Sequence, residues 1–68
     1  MKMRELLIKY RGKRTQKEMA EKYGVSQQLW ALWELGKSAP KPHMMKRISL
    51  DCKKPMEKIF FDVFNQQN

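Results

Sequence analysis

The sequence predicts an all-α fold, a compact bundle of about five short helices. Three observations lead there. Apolar residues recur at three- and four-residue steps; threonine, valine and isoleucine are too sparse and too poorly alternated for a sheet; and glycine or proline interrupts the pattern at short intervals. A chain of 68 residues is one domain, and at that size only about 60% of the unfolded surface is buried. Its core is therefore thin, and a cleft enclosing a large substrate is not expected. The domain is expected over residues 1–64, with a frayed polar tail at 65–68 that has nothing apolar to bury.

The first helix is expected from Lys2 to Tyr10, where Met3, Leu6, Leu7 and Tyr10 share one face. It should stop at Gly12, flanked by basic residues that suit the negative end of a helix dipole. Thr15-Gln16-Lys17-Glu18 fits a capping box, which starts a second helix bearing Met19, Ala20 and Tyr23 and ending at Gly24. Ser26 is a good N-cap, so a third helix follows almost at once. Two short helices joined by so tight a glycine turn must cross steeply.

On the third helix, Leu29, Trp30 and Trp33 fall on one side at 100° steps. Gln28, Ala31, Leu32 and Leu35 fall on the other, with Gln27 near its edge. The tryptophans should face the core, and the glutamines should stand out from the first turn. Gly36 closes this helix, and Pro42 is suited to open a fourth with Met45, Ile48 and Cys52 inward. Pro55 should open a fifth, with Met56, Ile59, Phe60 and Val63 at the same period.

Fifteen Lys and Arg residues against seven Asp and Glu give a formal charge of +8. Such an imbalance argues about partners, and nucleic acid is the commonest polyanion a cytoplasmic protein meets. The single cysteine, Cys52, excludes a disulfide framework and suits a reducing compartment. With neither a cleavable leader nor an apolar run of membrane-spanning length in view, a soluble, cytoplasmic protein without membrane contact is expected.

Catalysis has little support. His43 is the one histidine and follows a helix-opening proline, Cys52 falls at a core-facing position, and neither paired carboxylates nor a glycine-rich phosphate loop is present. No metal or cofactor is expected.

The stretch TQKEMAEKYGVSQQLWALWELGKSAPKP resembles the Cro/repressor type of helix-turn-helix domain, the lambda-repressor-like fold of phage and bacterial regulators. The match is carried by Thr15-Gln16, Met19-Ala20, Gly24-Val25-Ser26, Trp33-Glu34, Gly36-Lys37 and Pro40, with Met56, Ile59 and Phe60 where the family has its last core helix. Over residues 3 to 61 the resemblance implies a recognition helix at 26–35 that enters the major groove of double-stranded DNA.

Residue by residue, it implies that Gln27 and Gln28 approach base edges, and a glutamine amide suits adenine because it donates and accepts together. Leu32 would add apolar contact with thymine methyl groups, unless it and Leu35 belong to a protein interface. Gln16 would bond a phosphate, Ser26 would cap the helix and could touch phosphate, and Arg14, Lys17, Lys37 and Lys41 are the cationic candidates for the DNA backbone. Glu34 would pair with a basic residue of the first helix, either Lys9 or Arg11.

The expected function is that of a small Cro-like transcriptional regulator. Such a domain usually binds a palindromic operator as a homodimer, which here could complete itself only on DNA. The loop around Asp51 to Lys54 and the apolar Phe61 and Phe64 are the candidate dimer surface, although the phenylalanines could equally cap the core. The alternative is an antitoxin or accessory protein that uses the same fold to hold a protein partner.

Overall fold

The computed structural model describes residues 3–64. The expected tail at 65–68 lies outside them, as do the first two residues. Among the described residues there are six helices and no strand: α1 (Glu5–Arg11), α2 (Gln16–Tyr23), α3 (Gln27–Leu35), α4 (Pro42–Cys52), α5 (Met56–Ile59) and α6 (Phe61–Phe64). One core joins Leu7, Met19, Ala20, Tyr23, Trp30, Trp33, Met45, Ile48, Ile59 and Phe60. Every helix except α6 contributes to it.

The start of α2 is the capping box in full. The Glu18 amide donates to Thr15 Oγ1 at 3.0 Å and the Thr15 amide donates to Glu18 Oε1 at 2.7 Å. Its end is a Schellman turn: Gly24 takes φ 69° and ψ 32°, the Val25 amide reaches back to the Ala20 carbonyl and the Gly24 amide to that of Glu21. Side chains with a Cβ adopt that left-handed geometry at a cost, so glycine here lets α3 begin at once. Ser26 then caps α3, its Oγ accepting from the Leu29 amide at 3.0 Å.

Three boundaries differ from expectation. The first helix begins at Glu5 rather than Lys2 and runs on to Arg11, because the Arg4 amide donates at 2.8 Å to the Glu34 carbonyl at the end of α3. That bond holds Arg4 out of helical geometry and leaves Met3 49% exposed. The expected fifth helix is two single turns, broken at Phe60, whose φ of −111° and ψ of 45° let its ring go fully into the core while its carbonyl starts the next turn. Pro55 opens α5 as expected, as its N-cap, but Asp51 lies inside α4, so the following loop begins only at Lys53.

Candidate nucleic-acid interface

The turn between α2 and α3 fixes the geometry of the site. Trp30 is fully buried and stacks on Tyr23 of α2, centroids 5.6 Å apart and planes within 7°, while Trp33 meets Trp30 edge-on at 5.8 Å. These rings lock the back of α3 to the body. Its opposite side is thereby left facing outward: Gln27 and Gln28 are exposed, Leu32 and Leu35 are each 38% exposed, and Ala31 lies half-buried between them.

Glu34 is the acid of α3, and it is buried. Its carboxylate accepts from Arg11 Nε at 2.6 Å, from Arg11 Nη2 at 3.3 Å, from Gln16 Nε2 at 3.0 Å and from Trp30 Nε1 at 2.6 Å. Burial alone would raise its pKa, but the hydrogen bonds from Arg11, Gln16 and Trp30 together outweigh burial and hold it below the usual carboxylate value. Three helices thus meet on one carboxylate. Of the two expected partners it is Arg11 that makes the ion pair, and Lys9 is exposed.

Arg4 was not among the residues singled out from sequence, yet it is the most tightly held side chain near the site. Only 1% exposed, it grips Asp62 with Nε at 2.9 Å and Nη2 at 2.7 Å. Its Nη1 donates to the Trp33 carbonyl at 2.7 Å and the Ser38 carbonyl at 2.6 Å, and the guanidinium lies over Phe60. It therefore ties the end of α3 and the loop after it to α6. The signal was present in spacing: Arg4, Leu7 and Arg11 stand at three- and four-residue steps, which puts both arginines on the stripe of a core leucine.

The residues expected at phosphates are dispersed around α3. Lys17, Lys37 and Lys41 are exposed. Gln16, in the first turn of α2, gives one amide N–H to Glu34. Ser26 spends its oxygen on the helix cap. Arg14 is exposed, but its guanidinium bonds the Tyr10 carbonyl at 2.6 Å and the Arg11 carbonyl at 3.2 Å and lies over the Tyr10 ring. It closes the end of α1, where a cation is favoured by the carbonyl dipoles.

The helix-turn-helix family model matches residues 3–59, most of the chain. The chain belongs to the helix-turn-helix family of the Cro/repressor type. That family is one of DNA-binding regulators, not typically enzymatic, and it binds double-stranded DNA. Comparison with curated proteins and with solved structures gave no match. In this helix-turn-helix domain α2 and α3, joined by the tight turn at Gly24, form the motif.

Other chemistry-bearing groups are accounted for within the domain. Tyr10 donates to the Tyr23 hydroxyl at 2.6 Å and Tyr23 donates to Asp51 at 2.8 Å, a chain that pins α1 and α2 to α4. Burial, then the bonds to Tyr10 and Asp51, push the Tyr23 hydroxyl far above its ordinary pKa. Burial also raises the Cys52 thiol, which disfavours the reactive thiolate, and His43 is exposed in the first turn of α4. Among the described residues no helix is long and apolar enough to cross a membrane.

Proposed function

We propose that this domain is a sequence-specific, Cro-like transcriptional regulator that lays α3 in the major groove. One observation carries the reading: the front of α3 offers Gln27 and Gln28 to solvent with no partner among the described residues, while the same helix is anchored behind by two tryptophans and a buried carboxylate. Rigid presentation of unpartnered polar groups is what base readout needs. Lys17, Lys37 and Lys41 supply attraction to the flanking phosphates, with the second N–H of Gln16 beside them. Arg14 and Ser26 contribute chiefly by keeping α1 and α3 in shape.

A single module makes few contacts, so the working form is a homodimer on a palindromic operator with half-sites about one helical turn apart. Phe64, 48% exposed, and the loop after α4 remain the surface for that pairing. A second reading, an accessory module or antitoxin that holds a protein, draws on the exposed Leu32 and Leu35. Binding to duplex DNA over a range of salt separates them. A regulator loses affinity steeply as salt rises and prefers one sequence; an apolar protein surface shows neither behaviour toward DNA.

A further inference from the structure

The outward face of α3 carries no charge at all. Its exposed or half-exposed positions are Gln27, Gln28, Ala31, Leu32 and Leu35, the helix has no basic residue in its last turn and no acidic residue in its first, and Glu34 is buried and fully engaged. Guanine in the major groove is read chiefly by Arg or Lys across O6 and N7, and the cytosine amino group by a carboxylate. Neither is available on this face. The cations of the site stand on other elements: Lys17 on α2, Lys37 after Gly36 and Lys41 at the head of α4. Charge near the site can therefore hold phosphates without reading bases.

What the face does present is matched to adenine and thymine. Gln28 and Leu32 are one helical turn apart in the same row, as are Gln27 and Ala31. Each row sets an amide, able to accept from the adenine N6 amino group and donate to N7, ahead of an apolar group able to meet a thymine C5-methyl. Leu32 is 38% exposed on a helix whose other large apolar residues, apart from Leu35, are buried or pack against the core, so its open side is an unfilled apolar contact.

Resting on the reading of α3 as the helix in the groove, we infer that the base pairs it reads form an A·T-rich half-site, recognised through adenine by Gln28 and through thymine methyl groups by Leu32. Specificity and salt dependence then reside in different residues. The glutamine and leucine rows choose the sequence, and the surrounding lysines set the strength.

The test begins with selection of random duplexes by the purified protein at low salt. Uracil then replaces thymine, one position at a time, in the selected half-site, and each duplex is titrated with the wild type and with Leu32→Ala; circular dichroism checks that the variant keeps its helices. The expected result is an enriched run of A·T pairs in which one or two uracils weaken the wild type about fourfold, the worth of one buried methyl group, and leave Leu32→Ala unaffected. A half-site of G·C pairs, or a wild type indifferent to uracil at every position, overturns the inference while leaving DNA binding by α3 intact. Failure to enrich any duplex overturns the DNA reading itself, and this inference with it.

Discussion

The two ends of α3 treat polar side chains in opposite ways. At the back, Glu34 is buried with every carboxylate contact filled, and the neighbouring carbonyls of Trp33 and Glu34 are taken by the side chain and the amide of Arg4. At the front, Gln27 and Gln28 are exposed and their amides have no partner among the described residues. A buried polar group without a partner is expensive, so the back must be complete for the domain to fold. An exposed amide lacking a protein partner is held only by water, so the front costs folding little and stays available for a ligand. Substitutions at the back should therefore register in stability, and those at the front in binding.

The hardest blow to the back is Arg4→Ala. It would leave the Trp33 and Ser38 carbonyls and the Asp62 carboxylate without their donor and open a void beside Phe60. Breaking a buried ion pair by removing one member typically costs about 3–5 kcal/mol, whereas a domain of this length holds only about 3–10 kcal/mol in total. Urea denaturation should show a strongly lowered midpoint, a large part of the total stability being lost. Arg4→Lys should recover little, since an ammonium cannot reproduce the two-pronged grip on Asp62 together with two carbonyl bonds.

Glu34→Ala comes next, at about 1–3 kcal/mol, because it strands the buried Trp30 N–H while the partly exposed Arg11 regains water. Its midpoint should fall by less than that of Arg4→Ala. The same network has a pH signature. Glu34 and Asp62 are both held below their ordinary values, Asp62 by its hydrogen bonds from Arg4. Each therefore adds stability that is present above the unfolded carboxylate pKa of about 4 and is lost as pH falls through the folded value. Thermal midpoints should be flat from neutral to mildly acidic pH and drop below it, with a shallower acid limb in Asp62→Asn.

A smaller effect lies away from both ends. Lys53 closes α4 with φ 60° and ψ 40°, left-handed backbone on a residue with a Cβ. Lys53→Gly should stabilise by up to about 1 kcal/mol, read as a slightly raised urea midpoint. If it destabilises, the extra freedom of glycine in the unfolded chain outweighs the relief.

Legibility in the sequence follows the same division. Local signals were readable because each is a short-range pattern: the capping box at Thr15, the glycine at 24, the inward tryptophans at helical spacing. The break at Phe60 was not, since periodicity runs smoothly through it and only the demand of the core for that ring bends the chain. Arg4 escaped because charge argues for the surface, and its burial depends on Asp62, which lies far along the chain. In the site, exposure of Gln27, Gln28 and Leu32 follows from helical phase, but the engagement of Gln16 with Glu34 and of Arg14 with the end of α1 depends on contacts between elements.

The most direct measurement is Gln28→Ala, assayed twice, for its urea midpoint and for its affinity toward the duplex selected by the wild type. The midpoint should stay within about 0.5 kcal/mol of wild type, as for an exposed residue with no partner. Affinity should fall by about 5- to 150-fold, the worth of one adenine contact of about 1–3 kcal/mol. An unchanged affinity and selected sequence would contradict the account, because the front of α3 would then be an ordinary solvated surface.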